Sequence, residues 1–190
     1  MKLVFATHNQ NKLKEIKALL PQHFELLSLE DIGCTEEIVE DADTIDGNAI
    51  LKADYVRNHY GYNCFADDTG LEIEALDGAP GVHSARYAGE EKDDKANVNK
   101  LLSQLEEKEN RKGRFKTVIA LNLENKQSIF TGICKGEVIE ERRGDQGFGY
   151  DPVFKPEGFE QTFAEMNLNE KSKISHRAKA FKALIAYLSK

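Results

Sequence analysis

The chain has 190 residues, 40% of them hydrophobic and 31% charged, with a formal net charge of −7. That length and balance fit one folded domain, in one or two lobes, able to bury its own core, and argue against a disordered chain. The acidic balance argues against broad nucleic-acid binding, which needs a basic footprint, but leaves room for a small anionic ligand in a local basic pocket.

Cys34, Cys64 and Cys134 are odd in number and far apart, so neither a disulfide framework nor a zinc site is expected, and a reduced, cytoplasmic setting fits. The opening MKLVFATHNQNK has too short an apolar stretch for a signal peptide, and no stretch has the length of a membrane span.

In chain order, residues 2–6 read as a short buried strand. Thr7–Asn11 is a polar turn in which Asn9 or Asn11 can cap a helix, and Leu13, Ile16, Lys17 and Leu20 keep helical spacing up to Pro21. Phe24–Leu29 reads as a strand, the acidic Glu36–Asp46 as a surface loop, and Asn48–Tyr60 as a helix ended by Gly61. Asn63–Ala66 is a strand that stops at Asp67-Asp68-Thr69-Gly70. Leu71–Leu76 is another strand, and Asp77–Gly81 is turn chemistry. Asp93–Glu107 is an amphipathic helix; Phe115–Leu123 and Ser128–Cys134 form a hairpin, and Glu137–Arg142 continues the sheet. Gly144–Asp151 is a glycine-rich loop, and Ser175–Leu188 is the closing helix. This order of strands and helices predicts an α/β (mixed α+β) fold with a mixed sheet.

Four clusters carry candidate chemistry. Thr7, His8, Asn9, Gln10, Asn11 and Lys12 lie where a strand enters a helix, and two readings stand: simple capping, or a phosphate site at the helix start with Lys12 adding charge. The glycines of a Walker loop are missing. Asp67 and Asp68 are adjacent carboxylates after a buried strand, costly there unless a cation is close. In an extended segment they point oppositely, so one is expected to face a site and the other to serve structure; the competing reading is an Asp-rich turn. Phe148, Gly149, Tyr150 and Asp151 offer a stacking platform with a polar end, or a rigid turn with one aromatic in the core. Lys171, His176 and Arg177 form the fourth cluster. Cations in the first turn of a helix oppose its dipole, a local conflict that points to function, although a solvated His-Arg pair is the plainer reading.

Together these segments resemble the inosine triphosphate pyrophosphatase family. Thr7, Asn9 and Lys12 match T-x-N-x-x-K. Ala66–Leu71 matches A-D-D-[ST]-G-L and is followed by G-A-P-G and S-A-R-Y. Phe148–Pro152 matches F-G-Y-D-P, and Lys171–Arg177 matches K-x-x-x-S-H-R. They occur in family order along nearly the whole chain. The resemblance implies an elongated mixed sheet with flanking helices, two lobes around a central nucleotide cleft, Mg²⁺ as cofactor and a homodimer. It also implies residue roles. Thr7–Lys12 hold a nucleoside triphosphate; Asp68 is the catalytic residue and a metal ligand; Thr69 touches substrate. Phe148–Asp151, Lys171, His176 and Arg177 hold the nucleotide. Many members carry a glutamate before Asn-Ala where this chain has Gly47, preceded by Asp46. Asp46 is the expected second metal ligand, with Glu40 and Asp41 as alternatives.

The implied reaction is attack of water on the α-phosphorus of ITP, dITP or XTP, releasing a monophosphate and pyrophosphate. The other readings are the same chemistry on another modified nucleotide, or a nucleotide-binding regulator without turnover.

Overall fold

In a computed structural model that describes residues 2–17, 20–21 and 23–189, the KLVF run forms β1 (Lys2–Phe5), with its last three residues buried. β1 pairs in parallel with β2 (Glu25–Leu27) on one side and with β3 (Cys64–Ile73) on the other. Its unbroken apolar sequence follows from that central place, since a parallel strand is covered on both faces. The sheet has six strands in the order β2-β1-β3-β4-β5-β6, with β4 at Lys112–Leu123, β5 at Lys126–Val138 and β6 at Phe154–Pro156. β5 and β6 run antiparallel. The expected mixed sheet is therefore present. The helices are α1 (Gln10–Lys17), α2 (Ile45–Tyr60), α3 (Asp94–Gln104), α4 (Leu168–Ile174) and α5 (His176–Leu188).

Several boundaries differ from the sequence reading. Helical spacing expected up to Pro21 is realised through Lys17; Ala18 and Leu19 lie outside the described residues. The strand expected to stop at Asp67 instead runs unbroken from Cys64 to Ile73, because both aspartates find cationic partners that let the ladder continue. Asp46 sits not in the acidic loop but in the first turn of α2, where a carboxylate suits the dipole. Thr44 caps that turn, its hydroxyl oxygen accepting the Gly47 N–H at 3.0 Å. β5 ends at Val138 rather than extending over Glu137–Arg142, and Gly136–Val138 pairs with Phe154–Pro156, a strand too short to show periodicity. Ser175, in extended conformation, closes α4 and stands immediately before the last helix, which starts at His176, so His176 and Arg177 lie in its first turn as expected. α4 itself was not foreseen, although its capping box, Asn167 with Glu170, stands in the sequence.

The chain divides into two compact units: Met1–Asp68 with Thr117–Gly132 and Ala178–Lys190, and Thr69–Lys116 with Ile133–Arg177. The first is centred on three phenylalanines. The rings of Phe5 and Phe65 stack at 4.6 Å, and Phe181 meets Phe65 edge-on at 5.5 Å. Leu3, Leu13, Ile16, Ile119, Leu121 and Leu184 surround them. The second unit packs Phe115, Phe154 and Phe163 with Leu71, Ile73, Val98 and Leu101. There Ser84 joins a strand to a loop: its hydroxyl oxygen accepts the Leu71 N–H at 2.9 Å, and its carbonyl accepts the Tyr150 hydroxyl at 2.8 Å. All three cysteines are buried and outside any disulfide, as small apolar packing residues can be. No helix among the described residues is long and apolar enough to cross a membrane.

Phe65 is fully buried between two ring partners. Phe65→Ala is therefore expected to lower unfolding free energy by about 3–5 kcal/mol, the cost of a phenylalanine cavity in a packed core. Urea titration followed by circular dichroism checks it; a loss below about 1 kcal/mol, the scale of a single missing methylene, contradicts the packing described.

Candidate functional site

In the first unit the turn from β1 into α1 organises itself through side chains. Thr7 Oγ1 accepts the Asn9 N–H at 3.1 Å, and Asn9 Oδ1 accepts the N–H groups of Asn11 and Lys12 at 3.0 and 3.1 Å. Capping, the plainer of the two readings, is thus realised by Asn9. His8, Asn9, Gln10 and Asn11 are exposed, while Thr7 and Lys12 are half-buried. The charge of Lys12 is already engaged: its Nζ lies 2.9 Å from Asp67 Oδ1. His8 Nε2 lies 3.0 Å from the Glu36 carbonyl oxygen.

The two aspartates behave as strand alternation demands. Asp67 is fully buried against Lys12. Asp68, 8% exposed, meets the ammonium of Lys52 at 3.4 Å, and the same ammonium holds Glu40 at 2.9 Å. Burial pushes the Asp68 carboxyl above the ordinary range against the pull of Lys52 and Lys12. Burial alone would depress Lys52, but Asp68, Glu40 and Asp67 outweigh it and keep the ammonium firmly protonated. Three carboxylates (Asp67, Asp68, Glu40) thus stand against two ammoniums (Lys12, Lys52) in this network. Lys52 was missed in the sequence. Its signal is position: the buried stripe of α2 reads Ile45, Asn48, Ala49, Lys52, Ala53, Val56, a lysine at apolar spacing. Glu40, one of the alternatives to Asp46, is brought onto the same lysine as Asp68; Asp46 is half-buried at the start of α2.

In the second unit the glycine-rich loop is held by three successive anchors. The Phe148 N–H donates to Asp151 Oδ2 at 3.0 Å, the Gly149 N–H to Asp94 Oδ2 at 2.8 Å, and the Tyr150 hydroxyl to Ser84. Tyr150 is buried in the core, so the half-buried Phe148 is the aromatic left for stacking. Asp151 pairs with Lys171 at 2.7 Å, both buried. Lys171 Nζ and the Arg177 guanidinium lie 5.2 and 5.4 Å from the centre of the Phe148 ring, so the ring's negative face offsets part of their charge. His176 stacks on Phe115 at 4.5 Å with 17° between planes, which fixes its ring. The structure therefore gathers Phe148, Asp151, Lys171 and Arg177 into one cluster, with His176 as sequence neighbour at the start of α5. Thr69 is half-buried within β3. Asp94 and Ser84 were also missed; each acts by supporting a backbone group, which leaves no spacing signal. Arg86, of the S-A-R-Y segment, meets Glu90 at 3.3 Å.

The structure thus presents two groupings, carboxylates beside lysines around β3 and a cation-and-aromatic cluster at the glycine-rich loop. A family model described as the Ham1 family matches residues 3–187. The chain is 68% identical over 190 residues, the full length of both, to a dITP/XTP pyrophosphatase of Christiangramia forsetii. It is 47% identical over 185 residues to that of Bacillus subtilis, covering 95% of this chain and 93% of the relative. A solved HAM1 protein from Coxiella burnetii superposes with a TM-score of 0.93 at 36% identity, over 100% of this chain and 98% of that one. The chain belongs to the Ham1 family, and the resemblance drawn from its motifs is borne out.

Gly147 has a φ of +77°, and a Cβ there would overlap the Asp151 carboxylate; Gly149 has a φ of +62° and open space around it. Gly149→Ala is expected to cost only the left-handed conformation, about 1–2 kcal/mol. Gly147→Ala adds displacement of Asp151 from Lys171 and is expected to raise the KM for substrate about tenfold or more, a change of roughly 1.4 kcal/mol. Melting temperatures and steady-state kinetics on the two variants test this; equal kinetic defects contradict the steric account.

Proposed function

We propose that the chain hydrolyses ITP, dITP and XTP to the monophosphate and pyrophosphate, with Thr7–Lys12, Asp68 and Glu40 taking the triphosphate and a divalent cation and Phe148, His176 and Arg177 taking the base. The observation that carries the reading is the network of Asp67, Asp68 and Glu40 with Lys12 and Lys52. Its excess carboxylate and all-oxygen donor set suit Mg²⁺, which is typically held by one or two carboxylates together with substrate phosphates. Among the described residues no group of three or more metal-binding side chains is gathered, so the fit is to an ion shared with phosphate rather than to a closed protein cage. Asp68 and Glu40 are the side chains we assign to it, with Asp46 as the remaining candidate. When bound, the cation neutralises charge on the phosphate oxygens and on the departing pyrophosphate.

Asp68 accepts the proton of the attacking water. A bond forms between that water oxygen and the α-phosphorus, and the bond to the pyrophosphate oxygen breaks. A carboxyl raised by burial is a better base than an ordinary one, and Lys52 holds it in place. Lys12 and the turn before α1 stabilise the anionic triphosphate and leaving group. At the other end of the substrate, Phe148 provides a ring face, while His176 and Arg177 offer donors to the 6-oxo group of hypoxanthine or xanthine. Adenine presents an amino donor at that place and would leave those buried donors unmatched, which is costly. A homodimer and a cytoplasmic setting belong to the same proposal, checked by sedimentation and by fractionation.

The direct test is identification of products from ITP, XTP, GTP and ATP with Mg²⁺. Monophosphate plus pyrophosphate from ITP and XTP, with ATP turned over poorly, is expected. Orthophosphate as product, or equal turnover of ATP and ITP, contradicts the reading.

Asp68→Asn is expected to cut turnover about a hundredfold or more, and added Mg²⁺ should not restore it if proton transfer is lost. Glu40→Ala should instead raise the Mg²⁺ concentration needed for half-maximal rate, and more so than Asp46→Ala, because Glu40 is the carboxylate that shares Lys52 with Asp68. Excess chelator should abolish activity. Metal titrations of the three variants separate the roles; a larger shift in Asp46→Ala would transfer the ligand assignment to Asp46.

A further inference from the structure

Between a short helical turn at Glu30–Ile32 and α2, the loop of residues 33–44 is fixed by Glu36. One of its carboxylate oxygens, Oε1, accepts the hydroxyls of Tyr60 at 2.7 Å and Tyr55 at 2.8 Å, both from α2. The other, Oε2, accepts the Thr35 N–H at 3.1 Å. The Tyr55 ring stacks on His59 at 4.2 Å, which steadies the hydroxyl's direction. Hydrogen bonds to an ionised acceptor are shorter and stronger than neutral ones. The Tyr60 and Tyr55 hydroxyls and neighbouring backbone N–H groups hold the carboxyl down at about 2, so it is ionised at any ordinary assay pH. A loop serving only as a solvated connection has no need of so firm a point.

The backbone of the same residue faces the turn into α1. The Glu36 carbonyl lies 3.0 Å from His8 Nε2, and because a carbonyl only accepts, this bond requires the proton on Nε2. His8 stands between Thr7 and Asn9, whose side chains organise that turn. Four residues further on, Glu40 of the same loop reaches Lys52, which holds Asp68. One loop, pinned to α2 at Glu36, therefore touches both the turn and the carboxylate network.

We propose that Glu36, anchored by Tyr55 and Tyr60, is a positioning residue for the triphosphate end of the site and acts through His8 on the Thr7–Lys12 turn. This rests on the reading that the turn takes the triphosphate. The test is steady-state kinetics with ITP, together with competitive inhibition by inorganic tripolyphosphate, which carries no base. Glu36→Ala is expected to raise the KM for ITP and the inhibition constant of tripolyphosphate in parallel, about tenfold, with kcat little changed. Glu36→Gln keeps an acceptor for the hydroxyls and should recover most of that loss. The Tyr55→Phe/Tyr60→Phe double variant should reproduce the Glu36→Ala defect. The preference for ITP over ATP should not move in any of them. Wild-type KM and tripolyphosphate inhibition in the folded double variant and in Glu36→Gln and Glu36→Ala, or a lowered melting temperature as the sole change, would overturn the proposal. Lys12→Ala separates it from the reading beneath it. Undiminished tripolyphosphate binding in Lys12→Ala removes the phosphate assignment and the proposal together; weakened binding there, with the Glu36 variants unaffected, removes the positioning role alone.

Discussion

Neutralisation of two adjacent buried aspartates is the constraint on which the rest of the first unit depends. Burying an ionised carboxylate without a partner is so unfavourable that the group protonates or the fold rearranges. Strand geometry sends Asp67 and Asp68 to opposite faces, so each takes its direct contact from a different lysine. Lys12 comes from α1 to one and Lys52 from α2 to the other. That requirement fixes the register of both helices against β3 and lets the strand pass through the acidic pair instead of ending there. Breaking either pair by removing one partner leaves an uncompensated buried charge, typically costing about 3–5 kcal/mol. Replacing a pair by apolar residues of similar volume would cost far less, so stability alone is a weak reason for its presence. The chemistry assigned to Asp68 is the stronger one.

The two pairs are not equivalent. Lys12 and Asp67 are matched one to one at 2.9 Å, with Asp67 fully buried. Lys52 is divided between Asp68 and Glu40, and its approach to Asp68 is the longer, 3.4 Å against 2.9 Å. A shared ammonium leaves Asp68 incompletely compensated, in keeping with a carboxyl pushed up by burial. That is the condition of a group able to take a proton or to accept a further cation, whereas Asp67 is held in a structural role.

Most elements were legible because their signals are local. β1 is an unbroken apolar run, α2 ends at a glycine with φ of 73°, and α3 shows helical spacing capped by Asp93. Two of the misreadings, at β3 and β6, share one cause: partners distant in sequence. Asp-Asp-Thr-Gly reads as a turn unless Lys12 and Lys52 are known to reach it. β6 has three residues and exists because Gly136–Val138 offers it an edge, and nothing within Phe154–Pro156 announces that. Of the candidate site, the titratable and aromatic members were legible from residue type and order. The supporting members were not, because Ser84, Asp94 and Glu36 act on backbone groups or on single hydroxyls, which any polar residue at that place could do. Lys52 lies between these cases. A lysine on the buried stripe of a helix conflicts with its surroundings, and such a conflict marks a paired charge.

An acidic protein that handles a polyanion has to solve recognition locally. The net charge of −7 repels such a substrate at long range, and basic side chains of the candidate site are withdrawn from solvent: Lys52, Lys171, His176 and Arg177 are each no more than 6% exposed. Each is kept charged or oriented by a specific neighbour. Lys52 has its carboxylates, Lys171 has Asp151 and the Phe148 ring, Arg177 has the other cation contact to that ring, and His176 has the face of Phe115. His176 and Arg177 also sit in the first turn of α5, where the dipole disfavours cations. The aromatic faces offset part of that penalty without adding carboxylates that would repel a nucleotide. Charges in such surroundings are screened far less by salt than charges on the surface. What confines attraction to short range is pairing: Lys52 and Lys171 are matched by carboxylates, so little of their charge is felt at a distance.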